Sequence, residues 1–213
     1  MDEIVRQAMA KWPKVPHCRG WLALDARGAF RMRDEAAQSA NAAGDVIRHP
    51  ALLSFIYRNY GHDEHGAWYF QNGPQRVYVE LAATPYIART ATTGGFITHD
   101  GEPLAPLEAA WITEEGRLVL EGGGKIAMVD DRDLAECAAM LRMDGTPVDD
   151  EVLMAWLERM QGELQLETGT QTVTVRPLRS GELAVRLGFD PHPSRQADPR
   201  ISAATASPPS PAS

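Results

Sequence analysis

The feature that most restricts this chain is a helical face that occurs twice. Leu52, Leu53, Ile56, Tyr57 and Tyr60 fall on one side of a helix opened by Pro50. Val152, Leu153, Trp156, Leu157 and Met160 repeat that spacing at a constant offset of 100. Strands behind the two faces also align. Arg76-Val77-Tyr78-Val79 falls on Thr172-Val173-Thr174-Val175 at an offset of 96, with Asn72-Gly73 against Thr168-Gly169 before them. The difference of four residues is absorbed by the loop Gly61 to Gly66, and upstream Trp21 with its hairpin answers Trp111 with its own. Helix face, turn and strand agree in order, so the pattern reads as one unit used twice: hairpin, helix, β-meander.

Turn residues divide the rest. A helix is expected over Asp2 to Ala10, then a hairpin of Trp21 to Leu24 and Phe30 to Met32 around Asp25-Ala26-Arg27-Gly28. Asp34 to Asp45 reads as a loop with some helical character. Strands follow at Trp68 to Phe70, Arg76 to Leu81, Tyr86 to Thr90 and Phe96 to Thr98, then Trp111 to Thr113, Arg117 to Leu120 and Ile126 to Val129. Leu134, Cys137, Ala138 and Leu141 mark a helix with Asp133 as its cap. After the second long helix the chain closes on strands Glu163 to Leu166, Thr172 to Val175 and Leu183 to Phe189. The fold class is α+β: antiparallel β-meanders packed with helices, in two internally repeated units. The units are residues 1–92 and 93–190, and 191–213 is a Pro/Ser/Ala-rich tail too poor in apolar residues to fold alone.

Composition excludes several functions. At a net charge of −8, with no run of Lys or Arg to build a basic patch, nucleic acid is not the expected partner. No apolar run reaches a membrane span, and the N-terminus has no signal-peptide core, so a cytoplasmic protein is expected. Cys18 and Cys137 each stand without a CxxC neighbour, which signals neither zinc nor redox pair.

Two motifs invite chemistry. His62-Asp63-Glu64-His65 gathers two imidazoles and two carboxylates that suit a divalent metal. It is not the helical HExxH arrangement, and flanking Gly61 and Gly66 favour an exposed polar connection. Gly122-Gly123-Gly124-Lys125 lacks the earlier glycine and the following Ser or Thr of a phosphate loop, and reads as a hairpin turn. No nucleophile elbow is present, and Asp130-Asp131 and Asp149-Asp150 suit helix starts. If one sheet face is left open, Tyr69, Arg76, Tyr78 and Tyr86 form an aromatic surface with a cation, suited to a small molecule or peptide. The alternative is that these rings fill the core.

The segments Cys18-Arg19-Gly20-Trp21, Ala51-Leu52-Leu53-Ser54-Phe55, Ala67-Trp68-Tyr69-Phe70 and Val79 to Ala88 resemble a group of bacterial domains of unknown function. In that group a Cys-Gly hairpin precedes a Leu-rich helix and a Val-Glu-x-Ala-Pro-Phe strand; here Thr84-Pro85-Tyr86 stands for Ala-Pro-Phe. The likeness covers residues 17–130. It implies an α+β fold with repeated motifs and at most a part in signalling, and it brings no catalytic residues or cofactor. The expected function is therefore a non-enzymatic binding or interaction module for a protein or small molecule, with an exposed strand edge allowing a homodimer. A metal-dependent enzyme acting through His62 and His65 is the alternative.

Overall fold

Alternating apolar residues joined by glycine turns build the first sheet. In the computed structural model, which describes residues 1–159, 163–169 and 171–193, helix α1 (Glu3–Lys11) precedes strands β1 (Cys18–Leu24) and β2 (Phe30–Met32). Their turn is closed by the Asp25 and Ala29 backbone, with Gly28 at a φ of 81°. The stretch read as a loop with some helical character holds helix α2 (Glu35–Ser39), capped by the Asp34 carboxylate on the Ala37 amide at 2.8 Å. Strand β3 (Asp45–Val46) follows, then helix α3 (Pro50–Arg58), which starts at Pro50 as expected. Tyr60, read as the last residue of that helical face, instead begins strand β4 (Tyr60–His62). Strands β5 (Trp68–Asn72) and β6 (Gln75–Leu81) complete a six-stranded sheet in the order β3-β2-β1-β6-β5-β4. All its pairs are antiparallel except β1 with β6.

Strands β7 (Tyr86–Thr90) and β8 (Phe96–Thr98) join the second sheet, where β7 runs parallel to a later strand. That sheet continues with β9 (Leu107–Thr113), β10 (Leu118–Gly122) and β11 (Lys125–Val129), an antiparallel meander. Helix α4 (Leu134–Ala139), strands β12 (Leu141–Met143) and β13 (Thr146–Pro147), and helix α5 (Asp150–Arg159) come next. Leu141, expected on the α4 face, thus opens β12. Strands β14 (Leu164–Glu167) and β15 (Thr172–Leu178) give a nine-stranded order of β13-β12-β14-β15-β9-β10-β11-β7-β8, with β15 parallel to β9.

In both sheets a three-stranded run, a helix and a second run lead to a final strand lying parallel to the first. The helix in the place of α3 is α4; α5, whose face matches α3 in sequence, follows β13. Met160 lies outside the described residues. Leu183 to Phe189, expected as a strand, is helix α6 (Leu183–Leu187) ended by Gly188 in the left-handed region. Val185, which alternation would bury with Leu183 and Leu187, is 88% exposed.

The main core is shared by both sheets and includes Phe30, Trp68 and Val79 from the first and Trp111, Val119 and Leu164 from the second. Each such side chain contributes about 1.5–3 kcal/mol by leaving water. Among the described residues no helix is long and apolar enough to cross a membrane. Of the expected tail, Pro191 to Pro193 are described and return to the first sheet, while 194–213 lie outside the described residues.

Candidate functional site

Three of the four predicted ligand residues come together. Tyr69 on β5 and Tyr78 on β6 face each other across the strands with ring centroids 5.8 Å apart. The Arg76 guanidinium lies 4.5 Å over the Tyr69 ring, and that of Arg19 lies 3.9 Å over Tyr78. The expected open surface is closed, because Tyr69 and Tyr78 are only 8% and 3% exposed. Burial pushes the Tyr78 phenol up, and its hydroxyl donates to Asp63 Oδ2 at 3.0 Å. Tyr86 stands elsewhere, in the core against Tyr60, Trp68 and His99 at 5.3–5.6 Å between centroids. Strand β5 buries residues on both faces, which the assumption of one open face did not allow.

The His62–His65 loop braces this pair. Asp63 Oδ1 accepts from the backbone of His65 and Ala67, each at 3.0 Å, which closes the loop as an Asx turn. Partial burial pushes the Asp63 carboxyl up, but these amides and Tyr78 outweigh it and hold it below its usual value. His62 turns its Nδ1 to the Asp63 carbonyl at 2.9 Å and rests its ring 5.0 Å from Trp68. The His65 side chain is 67% exposed, 3.6 Å from Glu64. Among the described residues no three His, Cys, Asp or Glu side chains are grouped to hold a metal.

Beside Arg19 opens a cleft of about 660 Å³. Strand β1 carries a bulge against β6 between Cys18 and Leu22, and Gly20 within it has a φ of 80°. A Cβ there would stand 2.6 Å from Gln38 Oε1, so glycine lets α2 close one wall. Three arginines, Arg19, Arg31 and Arg33, line the cleft against two carboxylates, Asp25 and Glu80. Arg31 binds Asp25 at 2.7 Å and the Gly44 carbonyl at 3.0 Å. Burial raises the Asp25 carboxyl, but the Ala29 amide and Arg31 together bring it below the ordinary range. Glu80 meets His192 Nδ1 at 3.3 Å. Arg33 donates to the Ala42 carbonyl at 3.1 Å and Asn41 Oδ1 at 3.4 Å, and Arg19 to the Pro193 carbonyl at 2.5 Å. Arg19 and Arg33 thus spend these bonds on neutral acceptors. The cleft wall holds a group of three arginines that no charge run announces, with Asp25 and Glu80 set among it. Hairpin pairing assembles it from residues that stand 12 and 2 apart in the chain.

A second polar cluster lies where the sheets meet. Lys125, after the glycines that form the expected β10–β11 turn, binds Asp100 at 3.0 Å and sits 4.9 Å over the Tyr86 ring. His99 Nδ1 accepts from the Ile87 amide at 3.2 Å, which leaves the proton of the neutral ring on Nε2, a buried atom without a partner among the described residues.

A family model described as "Protein of unknown function (DUF2946)" matches residues 1–194. Among solved structures, the chain is similar to a DUF1285 family protein from Silicibacter pomeroyi DSS-3 at 14% identity and a TM-score of 0.47, over 86% of this chain and 98% of that one. It is also similar to a DUF1285 family protein from Shewanella baltica OS155 at 12% identity and a TM-score of 0.38, over 55% and 88%. No curated protein matches the chain.

Proposed function

The chain belongs to the family described as Protein of unknown function (DUF2946), and from that premise we propose that it is a non-enzymatic binding module for a ligand carrying a carboxylate or phosphate group. The observation that carries this reading is the excess of arginine over carboxylate in one open cleft of a chain whose net charge is −8. Charge is unevenly shared: residues 1–92 hold 11 Lys and Arg against 9 Asp and Glu, and the remainder holds 10 against 20. The cleft lies in the cationic part. Its lining offers paired donors without a nucleophile activated by a base, which suits recognition rather than turnover. Tyr78, Tyr69 and Arg76 act behind the cleft, holding the Arg19 guanidinium in place.

The two sheets are read as copies of one unit, supported by their shared strand order. In register, Leu24 pairs Phe30 as Ile112 pairs Leu118, an offset of 88. At that offset Arg19, Arg31 and Arg33 correspond to Leu107, Val119 and Glu121, so binding belongs to the first unit alone. Cys18 and Cys137 are unpaired, which supports the cytoplasm as the compartment.

Calorimetric titration of the full chain with inorganic phosphate and with succinate tests this. Binding by either, weakened about tenfold or more in Arg19→Ala, is expected, since a hydrogen bond to a charged group contributes about 1.5–3 kcal/mol. Absence of binding by both anions at millimolar concentration rejects the reading.

A further inference from the structure

Resting on that reading, we propose that residues 190–193 are a strap that occupies the ligand's place at Arg19, and that the bound anion displaces its end. The strap follows α6 and its cap Gly188, starting after Phe189, which is buried in the core. Its first half is tied by main chain: the Asp190 amide donates to the Gly66 carbonyl at 2.9 Å, and the Leu81 amide to the Pro191 carbonyl at 2.9 Å. Its second half is held differently. His192 meets Glu80 at 3.3 Å through side chains, and the Pro193 carbonyl accepts a hydrogen bond from Arg19 Nη1 at 2.5 Å. The firm half is thus a hinge and the second half a latch, and both latch contacts fall on residues that line the cleft.

The exchange needs no movement of the arginine. Arg19 rests on the Tyr78 ring, and Tyr78 is fixed by Asp63, so the guanidinium stays presented while its acceptor changes. A carboxylate or phosphate oxygen is a stronger acceptor for guanidinium than a peptide carbonyl. Room for the displaced end exists: a second cavity of about 350 Å³ borders the cleft, sharing Leu81, Ala82 and His192 with it. The strap therefore sets the affinity of the site by competing with the ligand within the same chain.

Phosphate titration of the full chain and of a His192→Ala, Pro193→Gly variant tests the strap, alongside hydrogen exchange at the His192 amide, which donates to Asp190 at 2.9 Å. The variant should bind phosphate about fivefold more tightly than the natural chain, His192→Gln should bind like the natural chain, and phosphate should speed exchange at His192. Succinate in place of phosphate distinguishes a carboxylate from a phosphoryl ligand by which of the two shows this gain. Equal or weaker binding by the double variant, with exchange at His192 unchanged by ligand, overturns the strap and leaves the anion site standing. No binding by any of the proteins overturns both.

Discussion

The buried ring of His99 makes the fold less stable in mild acid. It lies among Phe30, Tyr57, Tyr60 and Tyr86, with Asp100, Lys125 and Asp25 as the charged groups acting on it. Burial pushes its pKa down to about 4 from an ordinary value of 6.5, against the opposing pull of Asp100. Between those values the unfolded chain binds the proton and the folded chain does not. Stability is therefore complete above pH 6.5 and falls as pH falls toward 4, by a total on the order of 3 kcal/mol. His99→Asn keeps an acceptor for the Ile87 amide and removes the titration. Urea melts at pH 7, 5.5 and 4.5 should show the slope in the natural chain and a much flatter one in the variant; equal slopes would exclude His99 as its source. Neither His99 nor the arginine cleft was legible in the sequence. Arg19, Arg31 and Arg33 carry no motif, and only hairpin register and the bulge at Gly20 bring them to one wall.

At the scale of elements, the strands most readable in advance were those bounded by turn residues. Gly73, Gly116, Gly123 and Gly124 all take positive φ between antiparallel strands, a conformation glycine adopts without steric cost. Two elements failed for opposite reasons. Tyr60 fits the helical spacing, but Asn59 ends α3 and the chain turns into β4. Leu183-Ala184-Val185-Arg186-Leu187 alternates as a strand should, yet it lies at the surface as one helical turn and a half, where alternation has no sheet to serve. The hairpin turns at Gly28 and Gly116 offer a controlled comparison, since both close through the same backbone bonds and have φ of 81° and 75°. Alanine in the left-handed region costs about 1–2 kcal/mol at either place. At Gly28 the added Cβ would also stand 2.6 Å from His99 Cβ, whereas at Gly116 its nearest neighbour is 4.0 Å away. Gly28→Ala should lose about 3 kcal/mol and Gly116→Ala about 1 kcal/mol in chemical denaturation, overpacking supplying the difference. Equal losses would mean that the hairpin tip moves off His99 without cost.

Whether the whole molecule behaves as two units or as one is decided by what crosses between the sheets. The helical repeat suggested two similar bodies, but nothing in a periodic pattern states which faces they share. In three dimensions β7 leaves the first sheet's last strand and pairs with β11, and the Met128 amide donates to Thr84 Oγ1 at 2.7 Å. Asp190, beyond the end of α6, returns to form an isolated bridge with Ala67, the residue before β5 of the first sheet. The apolar core runs without a break from Phe30 and Trp68 through Tyr86 to Trp111 and Leu120. Opening either sheet alone would expose the other's half of that core, at tens of cal/mol for each Å² uncovered. Partial unfolding is then more costly than its entropy gain returns, and the chain should melt in a single cooperative transition. Scanning calorimetry should give equal calorimetric and van't Hoff enthalpies, and far-UV circular dichroism and tryptophan fluorescence should share one midpoint. Two resolved transitions would show that the units separate before they unfold, and the shared core would then be an interface rather than the interior of one body.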